Sequence, residues 1–140
     1  MGGVGSGYRS WAQRLTSGAV RLDLRSEPFR SLVARPCAVK AEWNANGRPI
    51  GGAVLASEWE EPAPDGRPGR LLLPSELATP HTWPDGPGTC NVKIRWLPCP
   101  LGGHRAVMRC PRCPRRAVVL YLIRGVWQCR TCARLVHPST

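Results

Sequence analysis

Cys90-Asn-Val-Lys-Ile-Arg-Trp-Leu97 alternates apolar and polar positions, with Val92, Ile94 and Trp96 on one side and Lys93 and Arg95 on the other. A period of two is that of a half-buried strand, here with a cationic outer face. The same pattern, less regular, runs through Ala19-Val-Arg-Leu-Asp-Leu24. Ala38-Val-Lys-Ala-Glu-Trp43 and Gly52-Ala-Val-Leu-Ala-Ser57 read as paired strands, and Asn46-Gly47 between them is a strong hairpin-turn signal. Arg70 to Leu73 predicts another short strand, and His104-Arg-Ala-Val-Met-Arg109 follows the turn Pro98-Cys-Pro-Leu-Gly-Gly103. Ala117-Val-Val-Leu-Tyr-Leu-Ile123 is β-branched and apolar throughout, Arg124-Gly125 marks a turn, and Val126-Trp-Gln128 continues beyond it. The only helical signal is short, over Ser26 to Val33. Loops fall at Glu60 to Gly69 and His81 to Gly88, both rich in turn formers.

Composition agrees with this reading. Glycine and proline each occur 15 times in 140 residues, which disfavours long helices and favours short strands joined by turns. A hydrophobic fraction of 42% with six tryptophans is too high for a disordered chain. No run of eighteen apolar residues is present, and Met1 to Gly7 lacks the basic and apolar segments of a signal peptide, so a cytoplasmic protein is expected. The expected fold is mainly β: a glycine-rich leader over 1–9, a small antiparallel β-domain over 10–97, and a continuous C-terminal ribbon over 98–140.

Charge is distributed unevenly. The formal net charge is +11, yet residues 1–85 hold ten Arg or Lys and all nine acids. Residues 86–140 hold ten Arg or Lys and no acid. Abundant Ala, Gly and Pro suggest a compositional bias that explains arginine over lysine, but not 55 residues without a carboxylate. Such asymmetry points to an anionic partner, nucleic acid or an acidic protein surface that imitates it.

Four of the seven cysteines form two pairs, Cys110-Pro-Arg-Cys113 and Cys129-Arg-Thr-Cys132, in the spacing C-x2-C-x15-C-x2-C. Two thiolates two residues apart converge on one ion from a tight turn, and a hairpin between two such knuckles completes a tetrahedron with Zn–S distances of about 2.3 Å. The segment between the pairs is built as that hairpin. Redox C-x-x-C motifs would call for a βαβ context that is missing here. The expectation is a four-cysteine ribbon with one structural Zn²⁺. Metallation leaves a net −2 on the site, so the C-terminal part stays strongly basic. A ribbon this small depends on metal, which contributes on the order of 10 kcal/mol. Cys37, Cys90 and Cys99 are singletons; with His81, His104 and His137 they show no ligand spacing, and buried apolar thiols are the commoner use.

Gly5-Ser-Gly-Tyr-Arg9, Leu22-Asp-Leu24, Trp96-Leu-Pro-Cys99, Gly102-Gly-His-Arg105, Arg109-Cys-Pro-Arg-Cys113, Arg115-Arg-Ala-Val118, Leu120-Tyr121 and Cys129-Arg-Thr-Cys-Ala-Arg-Leu135 occur in this order. In these motifs the chain resembles a group of small bacterial zinc-ribbon proteins often found with phages and mobile elements. The resemblance covers most of the chain apart from 40–90, and it implies the architecture and the metal ligands without an activity. One departure is Pro114, where similar proteins have glycine after the second cysteine. Proline has no N–H, so one backbone hydrogen bond to a thiolate is lost.

An enzyme is not expected. Four cysteines fill a metal site, the surrounding region has no carboxylate to act as a base, and neither H-E-x-x-H nor a deaminase pattern occurs. Asp23, Glu27 and Glu42 are better suited to surface ion pairs. Binding remains, through Lys93, Arg95, Arg105, Arg109, Arg112, Arg115, Arg116, Arg124, Arg130 and Arg134. Their guanidinium groups would grip DNA or RNA phosphates with salt-dependent affinity and little sequence readout. Arg112 and Arg130, each inside a knuckle, are expected to project from one rim. Trp127 and Tyr121 offer stacking faces for single strands, although core packing is the commoner use at such positions. Arg9 on its glycine tether has the general form of a groove-entering arm. The competing expectation is an adaptor or inhibitor that binds an acidic surface of a host protein or a nucleic-acid-handling defence complex. Neither reading calls for a membrane or a small-molecule substrate.

Overall fold

The computed structural model describes residues 14–15, 20–45, 47–60, 66–78 and 88–136. The expected leader, the centres of both long loops, His81 and His137 lie outside the described residues.

Six strands form one antiparallel sheet in the order β3 (Ala38–Ala45), β4 (Arg48–Trp59), β5 (Pro68–Leu73), β6 (Cys90–Pro98), β7 (His104–Arg109) and β8 (Arg116–Ala117). Neighbours in sequence are neighbours in space, as hairpin connections dictate. The β3–β4 turn passes through Gly47 at φ 77, a left-handed conformation that costs a glycine nothing. A second sheet holds β10 (Val126–Gln128), β9 (Val119–Ile123) and β2 (Val20–Asp23), all antiparallel. The β9–β10 turn is the expected Arg124-Gly125, with φ 51 and 79. A two-residue parallel pair joins β1 (Arg14–Leu15) to β11 (Leu135–Val136). The helices are α1 (Phe29–Ala34) and α2 (Arg130–Ala133). Among the described residues no helix is long and apolar enough to cross a membrane.

The core lies between the two sheets. Alternation sends Trp43, Leu55, Leu71, Leu73, Val92, Ile94 and Met108 of the large sheet inward. Leu22, Leu120 and Trp127 of the small sheet meet them, and α1 adds Phe29 and Leu32. Three aromatic rings form a continuous run, Phe29 stacked on Trp43 at 5.8 Å and Trp43 tilted against Trp127 at 6.4 Å. Both buried indoles are satisfied: Trp43 donates to the Arg21 carbonyl at 2.7 Å and Trp127 to the Pro74 carbonyl at 2.6 Å.

Two features differ from the expected elements. The apolar run 117–123 is not one strand. Residues 116–117 close the large sheet beside β7, and the chain bends at Val118, whose carbonyl accepts the Leu24 N–H at 3.0 Å. Val119 onward then pairs with β2. The hairpin between the cysteine pairs is therefore bonded to a strand near the N-terminus, with Leu22 facing Leu120. The helical segment also starts later than its sequence signal, at Phe29.

Candidate metal centre and cationic face

Cys110 follows β7 and Cys129 follows β10, so the two strands deliver one cysteine of each pair to the same end of the core. Both are buried members of the hydrophobic cluster. Cys113 and Cys132 are half-buried and complete the group from the loop after β7 and from α2. All four sulfur atoms lie within 4.8 Å of one another. Cys110 and Cys132 are 3.9 Å apart, and Cys113 and Cys129 3.7 Å. These separations are far beyond a disulfide bond of about 2.05 Å and suit four ligands around one ion. Among the described residues this is the one group of His, Cys, Asp or Glu side chains able to hold a metal ion.

Backbone amides orient the sulfurs. The Cys110 Sγ accepts the Arg112 N–H at 3.4 Å and the Cys129 N–H at 3.2 Å. The Cys110 N–H donates to the Arg115 carbonyl at 3.0 Å and closes the first knuckle. Pro114 contributes no donor, but the N–H of Arg115, one residue further on, reaches Cys113 and lowers its thiol to about 7. Burial pushes the Cys132 thiol the other way, to about 12, and the three neighbouring thiols add to the rise. The leading causes of these opposite displacements differ, but in both the neighbouring thiols contribute. Negative charge can settle on one sulfur of the quartet but not on all four without a cation between them. In the second knuckle, Cys129 caps the start of α2, with the Ala133 N–H donating to the Cys129 carbonyl at 3.0 Å, and Arg134 caps its end with φ 55.

The remaining thiols are separate. Cys37 donates to the Ser31 carbonyl at 3.3 Å, Cys90 is half-buried with its thiol pushed up by that burial, and Cys99 is half-buried in the turn before His104.

All ten cations predicted as binding residues are exposed, and strand register sorts them. Lys93 and Arg95 on β6, Arg105 and Arg109 on β7 and Arg116 on β8 share the outer face of the large sheet, opposite Ile94 and Met108. Arg70 faces Lys93, and Arg109 faces Arg116. Lys93 and Arg109 are the next residues past the Ile94–Met108 pair. Arg70, Lys93, Arg109 and Arg116 therefore form one row across four strands, about 14 Å long at the usual strand spacing. Glu58 stands opposite Arg70 and pairs with it. The other ion pair among the described residues is Arg25 with Asp23, so the cations beyond Arg70 face no acid there.

The knuckle arginines behave differently from each other. Arg112 does not simply project: its guanidinium donates to the Gln128 Oε1 at 2.9 Å and bridges the first knuckle to β10. Arg130 opens α2 and is exposed, and Arg115, Arg124 and Arg134 lie exposed around the ribbon. Trp127 and Tyr121 are buried, the commoner of the two uses expected for them. Two participants were not signalled by the sequence. Arg70 lies outside the acid-free segment, and Gln128 gains its role only when the knuckles meet. No protein-family model, curated protein or solved structure matches the chain.

Proposed function

We propose that the protein is a non-catalytic nucleic-acid-binding module whose ribbon is held by one zinc ion. Regular tetrahedral edges around zinc, with bonds of about 2.3 Å, are about 3.8 Å, close to the 3.7 and 3.9 Å of the quartet. Four thiolates leave no position for a reactive water, so the ion's role is to hold the fold. The observation that carries the binding reading is the row Arg70, Lys93, Arg109 and Arg116. Like charges in register destabilise a sheet, and a polyanion laid across them removes that repulsion.

The test is fluorescence anisotropy of the metal-loaded protein with labelled mixed-sequence nucleic acid at increasing salt. Lys93, Arg95, Arg105, Arg109 and Arg116 engaged on the phosphates of a duplex give a slope of log K against log salt of about −4.5, and Lys93→Glu with Arg109→Glu reduces it by about 2. Salt-insensitive binding ends this reading. So does absence of nucleic-acid affinity combined with nuclease-resistant capture of one acidic protein, which is the adaptor outcome.

A further inference from the structure

The β6–β7 hairpin extends beyond the sheet that supports it. Its base is held on both sides, by β5 up to Lys93 and by β8 at Met108 and Arg109. Above that level Arg95 to Pro98 pairs with His104 to Val107 and, among the described residues, with no other strand. Val107 is buried and Trp96 and Ala106 pack against the core, so the free part is the Leu97–Arg105 and Pro98–His104 pairs with the turn beyond them. The root is fixed by Trp96, whose indole N–H donates to the Pro68 carbonyl at 2.8 Å while the Arg67 guanidinium lies 5.0 Å over its ring. The tip is a tight turn in which Cys99 donates to the Gly103 carbonyl at 2.9 Å and Gly102 to the Cys99 carbonyl at 3.0 Å. Leu101 stands fully exposed on that turn.

Resting on the polyanion reading above, we infer that this arm enters the major groove of B-form duplex DNA. Two paired strands fit a groove about 12 Å wide, and the two free residue pairs, about 7 Å, together with the turn beyond them match its depth of about 8.5 Å. Arg95 and Arg105 on the arm's outer face reach phosphates or guanine edges, and Leu101 contacts base edges such as the thymine methyl group. Lys93 and Arg109 at the base take the phosphates beside the groove. The arm's one aromatic ring is pinned under Arg67, and Trp43, Tyr121 and Trp127 are buried, so among the described residues the arm itself offers no stacking face for a single strand, and the exposed Trp59 stands on β4, outside the arm. A-form RNA is excluded as the preferred partner because its major groove is too narrow for the arm.

The experiment compares three labelled probes of one mixed sequence at a single salt concentration: duplex DNA, duplex RNA and single-stranded DNA. The expected result is at least about tenfold tighter binding of the DNA duplex. Equal or tighter binding of the RNA duplex or the single strand overturns the groove assignment and leaves the polyanion reading intact; binding of none overturns both. Two variants locate the contact. Leu101→Ser, at a fully exposed position, is expected to weaken duplex DNA binding several-fold with an unchanged salt slope. Arg95→Gln with Arg105→Gln is expected to lower the slope by about 2. Metal content and circular dichroism establish that both variants are folded. Unchanged affinity in folded Leu101→Ser overturns the placement of the tip.

Discussion

The backbone N–H of Cys129 donates to the sulfur of Cys110 at 3.2 Å, linking the two knuckles across 19 residues without help from a side chain. These two cysteines are also the buried pair, at 5% and 2% exposure. Their sulfurs are therefore at once candidate metal ligands, an amide acceptor in one case, and core atoms. Cys110→Ser or Cys129→Ser should abolish metal binding and cost more than about 4 kcal/mol, while Cys113→Ser or Cys132→Ser should be milder. Elemental analysis with thermal unfolding of all four variants checks the order. Equal losses at buried and half-buried positions would contradict it.

Removing the metal from the intact chain should loosen one layer more than the other. β7 is held in the large sheet by β6 and β8, whereas the three-residue β10 pairs, among the described residues, only with β9 and leads straight into Cys129, so loss of the ion acts first on the small sheet. The large sheet keeps β3 to β6 through its own ladders. Hydrogen exchange after chelation should accelerate at Leu120, Tyr121 and Trp127 well before Leu55 and Leu71. Uniform acceleration would show that the ion holds the whole chain together.

Much of this is legible in the amino-acid sequence. Alternation from Cys90 to Leu97 identified the inward Val92 and Ile94 and the outward Lys93 and Arg95, because a period of two follows directly from strand geometry. The C-x2-C spacing gave the ligand set for the same kind of reason: two residues is the reach of one turn. What stayed hidden depends on contacts between distant segments. The change of sheet at Val118 lies within a continuously apolar run with no glycine, proline or charge to mark it. The cation row exists only through the register of four strands, and no local pattern encodes that Arg70 faces Lys93. The Arg112–Gln128 bond likewise requires both knuckles to have formed.

Asp23 gives the fold an acid-sensitive point. Its carboxylate accepts the Arg25 N–H and the Arg25 guanidinium, both at 2.9 Å, at the corner between β2 and α1. The guanidinium hydrogen bond holds the carboxyl below its ordinary value of 3.8, outweighing the opposing effect of burial. A folded pKa lowered in this way contributes stability above the unfolded value, and the contribution disappears as pH falls through the folded one. Asp23→Asn should lower the melting temperature at neutral pH and flatten its decline below about pH 4, near the unfolded aspartate value. A parallel decline in both proteins would remove Asp23 from the acid limb.

Arg112 is expected to act on stability more than on binding. Gln128 is buried at 3% exposure, and its Oε1 accepts the Arg112 guanidinium. Arg112→Ala removes that donor and should destabilise by about 1–2 kcal/mol with one ion still bound. Thermal unfolding and metal analysis measure both quantities. Loss of the ion would mean that the guanidinium is needed to assemble the first knuckle.

The cation row imposes an electrostatic cost that added salt should reduce. Lys93, Arg109 and Arg116 stand in adjacent strands with no acid beside them among the described residues, whereas Arg70 has Glu58. Neighbouring strands lie about 4.8 Å apart, well inside the Debye length of about 10 Å at 0.1 M salt. Repulsion along the row is therefore strong in dilute buffer and weakens as salt rises. The wild-type melting temperature should climb with salt, and Lys93→Gln should climb less because the middle of the row is already neutral. At low salt Lys93→Gln should be the more stable protein, by a few tenths of a kcal/mol to about 1 kcal/mol. The same substitution should weaken nucleic-acid binding, so stability and affinity move in opposite directions at one residue. Calorimetry of both proteins over a salt series, beside the anisotropy measurement, tests the pairing. A variant less stable than wild type at low salt would show that Lys93 is held by attraction rather than repulsion.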